Sequence, residues 1–158
     1  MDNDSKNNGT TRHHYTESGL ENVWIEGGFK VIESPYGPGV EIEDMDGLHK
    51  CIGKMLVEKS GPLTGAEFRF LRTELDLSQM TMGLLCGREE RTVRGWEART
   101  DGVEEPANTI IRVVYQQRFD PSVSFEGMAQ KIRDLQAADK KLHEMQLLNT
   151  ADGWKAVA

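Results

Sequence analysis

The pattern of hydrophobic and polar positions between residues 79 and 96 predicts two short helices joined by a tight turn. Met82 and Cys86 lie four positions apart, so both can face a core from one side of the first helix. Gly83 is small enough for the second helix to lie close to its backbone. Gly87 then supplies the positive φ that a sharp turn between helices needs, at little steric cost. This spacing indicates a helix-turn-helix.

The second predicted helix has an apolar face and a charged face. Val93 and Trp96 lie three positions apart and form the apolar face. The outward positions carry the long polar side chains needed to reach base edges in a major groove: Glu89, Glu90, Arg91 and Arg94. We assign base readout to Glu90, Arg91 and Arg94. The alternative is an ordinary helical hairpin with a solvated charged face, and the pattern alone leaves it open.

Polar residues around the first helix are candidates for contacts to the DNA backbone. Ser78 is the predicted N-cap, and a helix N-terminus presents free N–H groups that favour phosphate. Gln79, in the first turn, either contacts phosphate through its side chain or is simply solvated. We assign phosphate contacts to four residues: Ser78, Gln79, Arg88 and Thr92.

A further helix is predicted before this pair, because Thr64 and Glu67 have the spacing of a capping box. The helix runs to about Leu75. Arg72 lies near the end of this helix, and Glu97 directly follows Trp96 in the base-reading helix. An ion pair between Arg72 and Glu97 would fix the geometry of the two helices, so we predict a structural role for both residues.

The first part of the chain predicts strands. β-rich runs at 22–26 and 29–33 flank Gly27-Gly28, a pair typical of a β-hairpin turn. A short alternating run follows at 40–43. These runs predict the β part of a small β-hairpin and helix unit.

The helix of that unit is predicted over roughly residues 46–58, with Asp44 or Asp46 as its N-cap. Its apolar side chains recur at spacings of three and four: Leu48, Ile52, Met55 and Leu56. A unit of this size buries only a small core alone, so we expect it to pack on the rest of the chain.

Four residues of the N-terminal part could be considered as metal ligands: His13, His14, His49 and Cys51. They lack the paired spacing of structural zinc sites, and His49 and Cys51 would point in different directions from a helix. We predict no metal and no cofactor. The two cysteines of the chain do not make a disulfide framework, and Cys86 is predicted to be a buried thiol.

The C-terminal part is predicted to be helical. Pro106 suits the first turn of a helix with Ile110, Val113 and Val114 on its apolar face. A long helix is predicted over about 124–148, and an apolar stripe follows it: Phe125, Met128, Ile132, Leu135 and Leu142, interrupted by Asp139. This helix either mediates dimerisation or packs on its own monomer. The residues from 149 onward are predicted to be loose, with Trp154 and Val157 as candidates for docking on the rest of the chain.

The net charge of −7 argues at first against nucleic acid, but the charge is unevenly distributed. Residues 1–58 hold 11 acidic and 5 basic side chains, so their charge is −6. Residues 59–158 hold 15 acidic and 14 basic side chains, so their charge is −1. Affinity for DNA depends on the face presented to phosphates, so the total charge does not exclude it.

Several functional classes lack support in the sequence. There is no Gly-rich phosphate loop, nucleophile elbow or Ser/His/Asp arrangement, so we predict that the protein is not an enzyme. No apolar run approaches the ~20 residues of a membrane span. The first residues lack the apolar segment of a signal peptide, and we expect a cytoplasmic protein.

The stretch 62–119 resembles the Xre/Cro-type helix-turn-helix family. The matching residues are Leu71, Arg72, Leu77, Ser78, Gln79, Leu85, Cys86, Gly87, Thr92, Val93, Trp96 and Glu97, with Pro106 opening the next helix. The resemblance implies a lambda-repressor-like fold that binds double-stranded DNA as a homodimer. It also implies a scaffold ion pair between Arg72 and Glu97.

A small β-containing unit followed by this domain is similar to the MqsA-type antitoxins. In that family the first unit is a zinc finger, but no Cys-x-x-Cys occurs here, so zinc binding does not carry over. The family's base-reading positions match Arg91 and Gly95. Gly95 has no side chain to read a base, so that contact is either lost or moved to Arg94.

The sequence therefore predicts an α+β, mostly α, protein in four parts. These are a disordered tail at 1–14, a small β/α unit at 15–60, a helix-turn-helix domain at 61–119, and a C-terminal helix and tail at 120–158. The predicted function is a homodimeric repressor that reads an inverted-repeat operator in the major groove. The alternative is an antitoxin or interaction module whose N-terminal unit binds a toxin or another regulatory protein.

Overall fold

The computed structural model describes residues 11–120, 122, 124, 127 and 144–157. This part of the chain is a mixed α/β structure with five helices and two small sheets. The strands are β1 (Arg12–His14), β2 (Val23–Glu26), β3 (Phe29–Ser34), β4 (Gly37–Ile42), β5 (Met145–Thr150) and β6 (Gly153–Ala156). The helices are α1 (Met45–Glu58), α2 (Gly65–Glu74), α3 (Gln79–Cys86), α4 (Glu90–Glu97) and α5 (Ala107–Phe119). None of these helices is long and apolar enough to span a bilayer.

The larger sheet joins strands that are far apart in the sequence. Its order is β1-β2-β5-β6, and β2 runs parallel to β5 with Val23 opposite Met145. β3 and β4 form a separate antiparallel sheet of two strands. The predicted hairpin across Gly27-Gly28 is therefore wrong, because β2 and β3 are strands of different sheets.

Gly27 and Gly28 lead the chain from one sheet to the other. Their φ angles are 68° and 66°, a conformation that suits glycine. A Cβ on Gly28 would lie 2.4 Å from the side-chain nitrogen of Asn149 and 2.7 Å from Cζ2 of Trp154. The Gly-Gly pair does mark a turn, but the contacts that require glycine at 28 are made by residues far along the sequence.

The C-terminal part corrects two predictions. Residues 145–148 belong to strand β5 instead of the helix predicted over 124–148. Met145 and Leu147 are buried and alternate with more accessible neighbours, which is the period of a half-buried strand. Of the predicted helix and its apolar stripe, residues 125, 126 and 128–143 lie outside the described residues. The residues after 149, predicted to be loose, include β6.

Both ends of the described chain are anchored by contacts to other elements. Trp154 of β6 is buried, and its Nε1 donates a hydrogen bond to the Glu43 carbonyl oxygen at 3.3 Å. The tail predicted at 1–14 is too long, because residues 12–14 form β1 and pair with β2. Residues 1–10 lie outside the described part.

One buried hydrophobic cluster joins the larger sheet to the helices. Its members come from both the predicted β/α unit and the segment after residue 61: Ile25, Leu147, Leu48, Ile52, Phe68, Leu71, Val93 and Ile111. Asp44 is the N-cap of α1, as predicted, and its side chain accepts from the Gly47 N–H. The cluster fixes α2 and α4 against the rest of the molecule, because residues of both helices are part of it.

The face of α5 differs from the prediction. Ile111, Val113 and Tyr115 are buried, whereas Ile110 and Val114 are half-buried. α5 packs against both α1 and α2, so most of its circumference is covered and the apolar pattern does not identify a single buried face.

The same helix buries a charged residue, Arg112, completely. Its Nη1 donates to the carbonyl oxygens of Val57 at 3.1 Å and Lys59 at 2.7 Å, and its Nη2 donates to the carbonyl of Gly61. Its Nε donates to Oδ1 of Asn108 at 3.3 Å. Arg112 thereby satisfies carbonyl groups at the end of α1 that have no partner inside the helix. Burial lowers the pKa of the guanidinium to about 10, so it remains a cation at neutral pH.

The predicted capping box of α2 is confirmed. Thr64 Oγ1 accepts from the Glu67 N–H at 3.2 Å, and Glu67 Oε1 accepts from the Thr64 N–H at 3.0 Å. We expect Thr64→Ala to lower the free energy of unfolding by about 1 kcal/mol, because one N–H group of the first turn loses its acceptor. Urea denaturation would measure this change. Thr100→Ala, at an exposed position outside the helices, is the control and should leave the midpoint unchanged.

Candidate nucleic-acid interface

Helices α3 and α4 are connected by a short turn that depends on two glycines. Gly87 has φ 66° and ψ 36°, and its N–H donates to the carbonyls at the end of α3. A Cβ on Gly83 would lie 2.6 Å from the Arg88 carbonyl oxygen, so a larger residue would push the turn away from α3. The predicted burial of Met82 and Cys86 is confirmed. The turn therefore sets the position of α4 relative to α3.

One face of α4 is buried. Val93 is fully buried and Trp96 nearly so. The Trp96 ring makes an edge contact with Phe68 of α2 at a centroid distance of 5.9 Å. Trp96 Nε1 donates to Oε1 of Glu104 at 2.7 Å, so its one polar group is satisfied. These contacts confirm the predicted apolar face and fix the rotation of α4 about its own axis.

The opposite face of α4 exposes the residues assigned to base readout. The side chains of Arg91 and Arg94 are 87% and 64% exposed, and Glu90 lies beside them. Each arginine has an acidic neighbour, with Arg91 Nη2 3.8 Å from Glu89 and Arg94 Nη2 3.4 Å from Glu90. Exposed pairs of this kind contribute little free energy, so they leave the arginines free to take other partners.

A polar cluster connects α2, α3 and α4. Arg72 contacts both carboxylate oxygens of Glu97, and its Nη1 donates to the Leu77 carbonyl oxygen at 2.7 Å. Gln79 Nε2 donates to Oε2 of Glu97 at 2.7 Å. The predicted ion pair between Arg72 and Glu97 is confirmed. The side chain of Gln79 belongs to the same cluster and is half-buried, so it is not simply solvated, and its contact to phosphate stays a prediction.

The other residues assigned to phosphate contacts lie around the α3–α4 pair. Ser78 is the N-cap of α3, as predicted, and its Oγ accepts from the Thr81 N–H at 3.0 Å. Arg88 is exposed in the turn, and Thr92 is half-buried in the first turn of α4. Arg88 is the one cation of the four residues assigned to phosphate contacts, and it is exposed.

An open groove of about 570 Å³ adjoins the polar cluster. Arg94 of α4 lines it, together with Arg69 of α2. Arg69 is exposed and was not among the residues assigned from the sequence. Arg69 could have been found from its position three residues before Arg72, because residues three apart lie on the same side of a helix. The groove adds a second cation beside the exposed face of α4.

The histidine considered as a metal ligand in α1 has other partners. His49 Nε2 lies 2.8 Å from the Tyr15 hydroxyl, and its Nδ1 lies 2.8 Å from Oε1 of Glu74. Within the described residues, no group of three or more His, Cys, Asp or Glu side chains could hold a metal ion. Burial raises the pKa of the Cys51 and Cys86 thiols, which keeps them protonated.

The geometry of the α3–α4 pair is that of two packed helices, and the outer side of α4 carries two arginines, each beside a glutamate. The buried side of α4 is fixed by Trp96, and its outer side carries Arg91 and Arg94. Comparisons with protein-family models, curated proteins and solved structures gave no match, so function is inferred from this geometry alone.

Proposed function

We propose that the protein is a sequence-specific DNA-binding regulator that inserts α4 into the major groove. The observation that carries this proposal is the outer face of α4, where Arg91 and Arg94 are exposed while Trp96 holds the opposite face in the core. An α-helix with its side chains is about 10–12 Å across, which suits a major groove about 12 Å wide, and the eight residues of α4 extend for about 12 Å at about 1.5 Å per residue. Arg91 and Arg94 would read guanine, and Glu90 would accept from cytosine.

The surroundings of α4 support this orientation. Arg88 and Arg69 would contact phosphates on either side of the helix, and the N-terminus of α3 behind Ser78 would contribute backbone N–H groups. The cluster of Arg72, Gln79 and Glu97 would keep the angle between the helices fixed during binding. The fold implied by the resemblance to the Xre/Cro-type family, a lambda-repressor-like helix-turn-helix bundle, is part of this proposal.

The proposed active form is a homodimer acting as a repressor in the cytoplasm. A single short recognition helix reads only a few base pairs, and a dimer doubles the site by placing two helices about 34 Å apart on an inverted repeat. The proposal requires neither a cofactor nor catalysis.

A second candidate function is supported by the β3–β4 sheet. Its apolar side chains Val31 and Tyr36 are 67% and 99% exposed, and Ile32 is exposed as well. Glu33 and Glu41 of the same sheet are also exposed. An acidic hairpin with exposed apolar side chains suits a partner with a basic surface. A toxin bound by an antitoxin would be such a partner. The two functions are compatible, because an antitoxin can also bind its own promoter.

A gel-shift and footprinting experiment with the DNA directly upstream of the gene tests the first function. We expect a protected inverted repeat bound about 10³-fold or more tightly than a scrambled duplex of equal length. The mass of the complex in solution should correspond to two chains per site. Equal affinity for the native and the scrambled duplex would contradict sequence-specific readout by α4. Co-expression with the product of the adjacent gene, followed by mass measurement, tests the second function separately.

A further inference from the structure

The β3–β4 hairpin has two free edges, because its sheet contains only these two strands. β3 pairs with β4 along its whole length, from Phe29 opposite Ile42 to Ser34 opposite Gly37. In an antiparallel pair, every second residue of a strand turns its N–H and C=O groups towards the partner, and the residues between turn theirs outwards. The free edge of each strand is therefore a row of backbone groups to which an added strand can bind.

A hydrogen bond next to the hairpin shows which residues of β3 face outwards. The Glu43 N–H donates to the Gly28 carbonyl oxygen at 2.8 Å, and this pair continues the register of β3 with β4. The even-numbered residues of β3 share the orientation of Gly28 and bond to β4, so Val31 and Glu33 turn their N–H and C=O groups outwards. Within the described residues, no strand other than β4 pairs with β3.

The outer edge of β4 differs from that of β3, because it contains Pro38. Pro38 lies opposite Glu33, so it belongs to the residues of β4 that face outwards. Proline has no N–H group, and a proline on an edge strand opposes the addition of a further strand. The hairpin is therefore open to strand pairing along β3 and hindered along β4.

The side chains beside the open edge are apolar on both faces of the hairpin. Val31 and Ile32 are exposed and, as neighbours in a strand, lie on opposite faces. On the face of Val31, the apolar surface includes Val40 and continues to Phe29 and Ile42, which pack against the core. An added strand would therefore bury apolar side chains on both faces.

The charge of the hairpin indicates the chemistry of the added strand. Residues 28–43 contain three carboxylates, Glu33, Glu41 and Glu43, against one basic residue, Lys30, so their charge is −2. Lys30 lies 3.7 Å from Glu43, and no basic side chain of the described residues forms an ion pair with Glu33. Glu33 lies on the same face of β3 as Val31, so a basic side chain could bind there beside an apolar one.

We propose that β3 binds an extended segment of a basic partner protein by strand addition. The backbone groups of Val31 and Glu33 would hydrogen-bond to the segment. Its apolar side chains would lie against Val31 and Ile32, and a basic side chain would lie beside Glu33. This binding mode rests on the second proposed function, since it describes how the partner expected there would be held. A second copy of the hairpin would bring the same negative charge to the contact, which disfavours pairing of β3 with itself.

The acetylated and amidated peptide Thr-Arg-Val-Val-Thr-Val-Arg is a suitable probe, and replacement of its arginines by glutamate gives the control. Calorimetry with the full chain should show binding of the basic peptide and at least about 10-fold weaker binding of the acidic one. Amide exchange followed by NMR locates the contact. The N–H groups of Val31 and Glu33 should exchange rapidly in the free protein and slowly in the complex, whereas that of Ile32 should be slow in both. Unchanged exchange at Val31 and Glu33 under saturating peptide would overturn the proposal.

N-methylation of the peptide tests whether its main chain makes the contact. Two versions of the basic peptide carry N-methyl groups on alternate, complementary sets of residues. Only one edge of an added strand faces β3, so one version should bind at least about 10-fold more weakly and the other should retain its affinity. Equal affinities of the two versions would contradict strand addition.

Two matched proline variants test the open edge in the protein itself. Val31→Pro removes an N–H group from the edge of β3, and Val40→Pro removes one from the edge of β4. Neither N–H group bonds within the hairpin, so urea denaturation should give the two variants similar stability. We expect Val31→Pro to weaken peptide binding about 10-fold and Val40→Pro to leave it unchanged. Equal effects of the two substitutions would show that the edge of β3 is not the site.

Co-expression with the product of the adjacent gene separates the binding mode from the second proposed function. A complex that forms with the wild type and not with Val31→Pro supports both. A complex that forms equally with Val31→Pro shows a partner bound elsewhere, and strand addition is wrong. Binding of the basic peptide without such a complex supports strand addition and contradicts the antitoxin function.

The mass of the free protein distinguishes a second copy as the occupant. If the wild type is a dimer and Val31→Pro is a monomer, β3 pairs with its own copy and the proposal of a basic partner is wrong. An unchanged mass in Val31→Pro, together with its weaker peptide binding, is the result expected.

Discussion

Replacement of Arg112 by methionine is expected to lower the free energy of unfolding by about 3–5 kcal/mol, because backbone carbonyl oxygens lose their donors. Methionine fills much of the same volume but donates no hydrogen bond, so the carbonyl oxygens of Val57, Lys59 and Gly61 lose their donor. Each buried acceptor left without a partner costs about 1–3 kcal/mol. Urea denaturation followed by circular dichroism would measure the change, and the thermal midpoint should fall by roughly 10 °C.

Two further variants test whether the free energy of unfolding depends on the planar set of guanidinium donors or on the positive charge. Arg112→Lys keeps the charge, but its single ammonium cannot reach all three carbonyls in the planar geometry of a guanidinium, so we expect an intermediate loss. Arg118→Met removes an exposed arginine from the same helix and should change stability by less than about 0.5 kcal/mol. A stability of Arg112→Met equal to that of Arg118→Met would show that the end of α1 does not depend on this residue.

The double variant Arg91→Ala, Arg94→Ala is expected to abolish the specific footprint while the protein stays folded. Each arginine contact to a base contributes about 1–3 kcal/mol, so the affinity for the native site should fall by about 30-fold to 20,000-fold. Both side chains are largely exposed, and their ion pairs with Glu89 and Glu90 contribute little to stability. Footprinting and urea denaturation of the same preparation separate the two effects.

A matched control for charge is available on the strands. Lys30 and Lys155 are also exposed and also lie near single acidic residues, at 3.7 Å from Glu43 and 3.4 Å from Asp152. Lys30→Ala, Lys155→Ala therefore changes the net charge by the same amount without touching α4. If both double variants weaken binding equally, the effect is one of total charge, and the assignment of base readout to Arg91 and Arg94 is wrong.

The elements around α3 and α4 were predictable because their signals are local. The caps at Thr64 and Ser78 and the glycine at position 87 lie within a few residues of the helix ends that they determine. The apolar spacing of Val93 and Trp96 identified the buried face of α4, and with it the exposed face that carries the arginines. The candidate site is therefore largely readable from the sequence.

The larger sheet was not predictable for the opposite reason. β2 pairs with β5, whose residues lie far along the chain. No local sequence pattern predicts which distant strand will pair in parallel with β2. The Gly27-Gly28 pair gave a stronger local signal and led to a hairpin that does not form. In the C-terminal part, helical spacing up to position 142 led to a helix predicted as far as 148, although a strand begins at 145.

Single side chains were hardest to predict where their partners come from other elements. Arg112 looks like a surface residue of a helix, and its burial depends on carbonyl groups at the end of α1. Gln79 looks like a solvated residue of a first turn, but it donates one amide hydrogen to the carboxylate of Glu97. These roles depend on which groups neighbouring helices bring together. The periodicity along one helix does not show which groups those are.

The parallel pairing of β2 with β5 also imposes an order on folding. As the chain leaves the ribosome, Val23 emerges long before Met145, the residue it will face, so the edge of β2 stays open while α1 to α5 are already complete. The helices α1 to α5 can pack on one another before β5 has been synthesised, whereas closure of the sheet waits for that segment. Nascent chains interrupted before β5 would present an unpaired strand edge, the type of surface on which aggregation begins.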